Sequence, residues 1–149
     1  MAKFIYRMQN ILNIKEKLET QAKNEFAEAR ARLDEELEKL EAIKQRRAGY
    51  EEEGRMLRAS AINIQDLNDN KYALDRMDEQ IIAQTEEIHR AERVLEKARV
   101  KLTEAMQETK VQVKLREKAF EQFKKDLAAE ESKEVDELTS YTYGQKKDR

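Results

Sequence analysis

Leu67, Leu74, Ile81, Ile88, Leu95 and Leu102 recur at every seventh position, without a gap, in a chain that contains no proline. A large aliphatic side chain at that interval returns to one narrow stripe of an α-helix, and only another helix can cover so narrow a stripe for so long. The partners at the intervening steps of three and four are Met77, Gln84, Ala91, Ala98 and Ala105, mostly apolar and small. Small residues at alternate layers let the covering helix come close. The chain is an all-α coiled coil before it is anything else, and it must act through long exposed helical surfaces.

The composition agrees. Charged residues make up 42% of the chain, against about a quarter in ordinary globular domains. So many charges cannot be buried, which excludes a thick core and leaves apolar material for a two-helix seam. Acids and bases nearly cancel, 32 against 30, and alternate along each face, so a nucleic-acid site is not indicated. With no cysteine, disulfides and thiolate metal sites are excluded. The N-terminal run MAKFIYRMQNILNIKEKL lacks the apolar core of a signal peptide. No uncharged run approaches the roughly 20 residues that span a bilayer. The chain reads as soluble and cytoplasmic.

Two helical tracts are expected within a single coiled-coil domain over residues 1–149: helix one at about 4–53, a turn at about 54–66, helix two at about 66–139, and a disordered tail at about 140–149. The stripe of helix one reads Phe4, Met8, Ile11, Leu18, Ala22, Phe26, Ala29, Leu33, Leu37 and Leu40. From Ala22 onward its steps give an eleven-residue period, which predicts a straight or slightly right-handed course. Gly49, Gly54, Ser60, Asn63, Asp66 and Asn68–Asn70 form the breaker cluster, with Asn63 or Asp66 as the N-cap of helix two. After Leu102 the seam is expected to shift by one position to Met106, Val113, Phe120 and Leu127, with Phe123 beside them. Such a stutter would locally unwind a supercoil.

An antiparallel hairpin reversing near residue 61 sets Leu33 against Ile88, Leu40 against Ile81 or Ile82, and Phe4 against residues 118–120. Helix two is then longer than helix one by about 20 residues, at 1.5 Å of rise each. That overhang carries Leu127, Val135 and Leu138 with no intrachain helix to cover them, unless a parallel homodimer does so.

Enzyme chemistry has no foothold. His89 is the only histidine and cannot hold a metal alone. Acid runs such as Glu35–Glu36 and Glu51–Glu53 read as exposed and pointing to different sides, whereas paired acid–base catalysis needs two carboxylates across a cleft. Residues 49–55 read GYEEEGR, with acids where a P-loop would cradle phosphate. No cofactor, metal or small-molecule substrate is indicated. Tyr50, Tyr72, Tyr141 and Tyr143 lie near the hairpin ends, as caps over the seam or as interface anchors.

Three segments, MAKFIYRMQNILNIKEKLETQAKNEFAEARARLDEELEKL, SAINIQDLNDNKYALDRM and KAFEQFKKDLAAEESKEVDELTSY, together resemble the FliJ family of flagellar export proteins over essentially the whole chain. The resemblance implies an antiparallel two-helix coiled coil, similar to the central stalk of rotary ATPases, inside the hexameric ring of the flagellar type III export ATPase. It implies a non-enzymatic role: promoting ring assembly and turnover, contacting the membrane export gate, and binding export chaperones, at the cytoplasmic face of the membrane. On this reading Phe120, Phe123, Leu127, Val135 and Leu138 contact the ATPase. Tyr50, Leu74 and Met77, near the turn, are the positions closest to the gate-contacting ones, although Leu74 and Met77 also fit the seam. A holdase-type chaperone or adaptor, or a structural coiled-coil scaffold, are the alternatives.

Overall fold

The computed structural model describes residues 2–61 and 63–147, and among them there are two helices and no strand. Helix α1 is Gln9–Ala59 and helix α2 is Ile64–Lys147. They pack against one another as a helical hairpin. Among the described residues no helix is long and apolar enough to cross a membrane.

The boundaries differ from expectation at three places. Helix α1 runs past both Gly49 and Gly54 to Ala59 rather than ending near residue 53. The reversal is confined to the few residues between Ala59 and Ile64; Ile62, part of the segment read as the turn, lies outside the described residues. Ser60 N bonds Met56 O at 3.2 Å to close the last turn. Asn63 is the N-cap: its Oδ1 accepts from the N–H groups of Gln65 (3.0 Å) and Asp66 (3.4 Å). Asp66 instead sits in the first turn, where its charge suits the helix dipole. Residues 140–147, expected to be disordered, continue α2, and Asp148 and Arg149 lie outside the described residues. At the N-terminus, helix α1 starts at Gln9, so Phe4 belongs to a non-helical lead segment.

The chain divides into two compact units, Gln21–Thr103 and the N-terminal part up to Thr20 with the chain from Glu104 onward. In the Gln21–Thr103 unit the seam of α1 is Ala22, Phe26, Ala29, Leu33, Glu36, Leu40, Ile43, Arg47, Tyr50, Gly54 and Leu57, all covered and alternating in steps of three and four, with Glu25 half-buried at its edge. That of α2 is Leu67, Asn70, Leu74, Met77, Ile81, Gln84, Ile88, Ala91, Leu95, Ala98 and Leu102, with Ala73, Gln80, Thr85 and Glu87 half-buried beside it. Both are seven-residue repeats, so the eleven-residue period expected for α1 does not hold. Leu37 points outward, 45% exposed, and Glu36 takes the seam position at 5%.

The reason is a polar layer. Gln84 Nε2 donates to Glu36 Oε2 at 2.6 Å and to the Glu36 carbonyl at 2.9 Å, while Lys39 Nζ donates to Oε1 at 3.3 Å. A carboxylate is tolerated in a seam when its oxygens are met this way. A second such layer lies near the turn, where Asn70 Nδ2 donates to the Tyr50 carbonyl at 2.8 Å. Asn70 Oδ1 then occupies the space where a side chain on Gly54 would begin, with its Cγ only 3.2 Å from that point. Gly54 is a packing glycine, not a helix breaker. Gly49, with nothing within 4 Å of its missing Cβ, has no such role.

In the terminal unit the seam of α2 again keeps its heptad positions, at Ala105, Thr109, Gln112, Ala119 and Phe123. The expected stutter is not made at Met106, Val113 or Phe120; only at its fourth position is it met, where Leu127 is half-buried and Asp126, the heptad position after Phe123, is exposed. The first three side chains stand one position aside and are 47%, 37% and 40% exposed. Thr109 is accommodated because its hydroxyl lies 3.0 Å from the Ala105 carbonyl and 3.2 Å from that of Lys15, either of which can take its one proton. On the α1 side the covered residues are Gln9, Leu12, Lys15 and Glu19, while Met8, Ile11 and Leu18, read as seam, are exposed.

Candidate functional site

The candidate positions lie at opposite ends of α2. In the terminal unit, Phe4 from the lead segment wedges against the helix. Its ring lies 5.1 Å from that of Phe120, edge-on, and 5.4 Å from that of Phe123, tilted, with Phe120 and Phe123 6.5 Å apart. These separations fall in the range of favourable aromatic pairs. Cations close the cluster: Arg116 Cζ is 5.5 Å from the Phe4 ring and Lys124 Nζ 5.0 Å from the Phe120 ring. Arg116 is held by its Nε–H, which donates to Gln9 Oε1 at 3.0 Å. The expectation that Phe4 meets residues 118–120 is met at Phe120.

Of the five residues assigned to ATPase contact, Phe120 and Phe123 are therefore partly engaged with Phe4, and Leu127 is half-buried. Val135 and Leu138 are open, 59% and 66% exposed, and line a shallow groove with Thr139, Thr142 and Tyr143. Every residue from 128 to 145 is exposed. Tyr141 and Tyr143 belong to that exposed helix rather than capping a seam, and the Tyr141 hydroxyl accepts from Gln145 Nε2 at 2.8 Å. Phe4 was visible in the sequence only as a stripe residue; its role as the wedge between two rings depends on the lead segment not being helical.

At the turn end the picture is different. Met77 is buried and Leu74 half-buried in the seam. Tyr50 is half-buried, with its carbonyl taken by Asn70. It borders a small polar groove with Glu53, Leu57, Asp66, Asp69 and Ala73. Tyr72 is exposed beside it.

Perturbed charges mark structural pairs rather than a reactive centre. The amide of Gln84, more than the neighbouring Lys39 and Arg32, holds the Glu36 carboxyl below its usual value of 4.5. Arg47 is raised by its hydrogen bonds to Asp78, at 2.6 Å, and to Glu51. Glu96 and Arg99, three residues apart on α2, reinforce each other's charged forms. Glu36, one of the acids expected to face solvent, is thus an integral seam residue. Among the described residues no group of three or more His, Cys, Asp or Glu could hold a metal ion. What the arrangement offers is surface: an aromatic cluster followed by an uncovered helix.

The solved structure of CT670 from Chlamydia trachomatis, described as a YscO homolog, matches with a TM-score of 0.75 and 23% identity, covering 99% of each chain. That likeness extends the shared two-helix fold over the whole length. No curated protein sequence matches the chain. The flagellar FliJ protein family matches residues 4–148. The chain belongs to that family and is an accessory component of flagellar type III protein export.

Proposed function

We propose that this protein acts as a non-enzymatic stalk in the flagellar type III export ATPase, seated in the hexameric ring by the end at which Phe4 meets α2. There it promotes assembly and turnover of the ring and couples it to the membrane export gate and to export chaperones, at the cytoplasmic face of the membrane. One observation carries the reading: beyond Leu127 helix α2 continues with every residue from 128 to 145 exposed, Val135 and Leu138 among them. A helix with apolar residues and no intrachain cover is a surface for a partner. A stalk needs no chemistry of its own, because a rigid element held in a ring transmits the ring's state through contacts.

The test is a truncation after Leu127. It retains the Phe4–Phe120–Phe123 cluster and every hydrogen bond between α1 and α2 named above, so helicity per residue and melting should be nearly unchanged. Stimulation of ATP hydrolysis by the purified cognate ATPase should be lost, at fixed salt because exposed charges are screened. Full stimulation by the truncated protein would move the ATPase contact elsewhere on the chain.

A further inference from the structure

The aliphatic seam of the Gln21–Thr103 unit does not by itself choose a register. Leu74, Ile81, Ile88 and Leu95 lie seven apart. Sliding α2 along α1 by one heptad, about 10 Å of rise, therefore puts an equivalent side chain wherever one was lost. The turn is a weak stop. Such a slide moves the reversal by roughly half a heptad, which costs the Asn63 cap and re-forms one terminal helix turn, where Met56 and Ile64 are exposed in any case. The rim ion pairs Arg47–Asp78 and Glu25–Lys101 agree with the present register, but exposed pairs contribute little.

The polar layers do choose. Glu36 is buried and its carboxylate is met by Gln84 Nε2 at 2.6 Å. One heptad away in either direction the place of Gln84 falls to Met77 or Ala91, whose side chains offer no donor. Asn70, also buried, fills the notch at Gly54 with its amide on the Tyr50 carbonyl. The same slides set it against Arg47 or Ala61 in place of Gly54. A buried carboxylate left without its partner is far costlier than an apolar layer exchanged for its like. We infer that the Glu36–Gln84 and Asn70–Gly54 layers are a register lock: they, and not the leucine and isoleucine stripe or the turn, exclude the slide of one heptad.

The chain has no cysteine, so engineered pairs report register without background. Glu25→Cys with Lys101→Cys marks the present register, since Lys101 Nζ lies 2.9 Å from Glu25 Oε2. Arg32→Cys with Lys101→Cys, and Glu25→Cys with Val94→Cys, mark slides of one heptad in the two directions. The full-length chain is treated with a short bismaleimide, and links are located by mass spectrometry. With the native layers the first pair should link at least tenfold faster than the other two. When Glu36→Leu, Gln84→Leu and Asn70→Leu are combined, that advantage should fall below about threefold, with helicity retained in circular dichroism. A second variant keeps the composition and moves the lock: Gln84→Ala with Ala91→Gln, and Asn70→Met with Met77→Asn, set the same groups seven residues further along α2. There the Arg32–Lys101 pair should become the fastest to link. A tenfold advantage of the first pair in either variant would overturn the inference and give the register to the aliphatic stripe or the turn. Loss of helicity in the leucine variant would overturn it too, by showing that the layers hold the fold together rather than select its register. So would linking between chains instead of within one.

Discussion

Gln84 and Gln112 occupy the same heptad position of the same helix, four heptads apart, in the two different units. Gln84 spends its amide on Glu36, donating to both a carboxylate oxygen and the backbone carbonyl. Among the described residues Gln112 Oε1 is buried with no hydrogen-bond partner, as is the Tyr6 hydroxyl in the same unit. In the Gln21–Thr103 unit the polar seam residues answer one another across the helices: Glu36 with Gln84, Asn70 with Tyr50, Arg47 with Asp78. The terminal unit has buried polar atoms unmatched, an apolar stripe uncovered, and aromatic rings half open. One region is arranged to hold register. The other gives up some internal satisfaction and keeps apolar surface available to a partner.

The sharpest way to break that comparison is to attack the register unit directly. Ile88→Asp places an unpaired charge at a buried seam position, costing several kcal/mol against a total stability of about 5–15. Helicity should be largely lost in circular dichroism at room temperature, and unchanged melting would mean that the seam is misplaced.

The two helix-interior glycines should respond with opposite sign. Gly54→Ala collides with Asn70 and displaces its bond to Tyr50, a cost of about 1–3 kcal/mol that exceeds the roughly 1 kcal/mol gained in helix propensity. Gly49→Ala meets nothing and should stabilise by about 0.5–1 kcal/mol. Denaturant midpoints of both variants measure the difference.

The two glutamines make a subtler pair. Gln112→Leu removes an unmatched buried oxygen and should raise stability by about 1 kcal/mol. Gln84→Leu strands Glu36 and should lower the melting temperature. If both variants moved the same way, the contrast between the units would fail.

The smallest effect is in acid. Because the Glu36 carboxyl is held below 4.5 in the folded chain, chiefly by Gln84, its contribution is present above that value and fades as pH falls through and below it. The acid limb of a stability–pH profile should lie below pH 4.5 and become shallower in Gln84→Leu. An identical limb in the two proteins would show that the amide does not hold the charge.

Much of the fold was legible because its signal is local. Aliphatic residues at every seventh position announce a covered helix face whatever covers it, and Asn63, the N-cap of the second helix, marks the reversal. The misreadings share one cause. Counting apolar residues chose Leu37 over Glu36, and Met106 and Val113 over Thr109 and Gln112, because the larger hydrophobe is the better guess when partners are unknown. Glycine counting placed the start of the turn too early, though not its centre near residue 61, for a similar reason, since a glycine reserved for close packing looks in sequence like one that ends a helix. Of the candidate contacts, Val135 and Leu138 were identifiable as uncovered from helix lengths alone. Met77 could be separated from a surface contact only by seeing it buried.

Periodicity and the breaker cluster by themselves therefore determined that this chain is two helical tracts with a covered stripe on each, the second longer than the first. Only the tertiary structure decided which polar residues enter the seam, which glycine is needed, and which apolar stripe is left over. A hydrophobic side chain is driven inward by its own contact with water, a property the residue carries wherever it stands. A buried Glu, Gln, Asn or Thr is stable only if a particular group lies within hydrogen-bonding distance on the opposite helix, and that depends on register, which no single stretch of sequence contains.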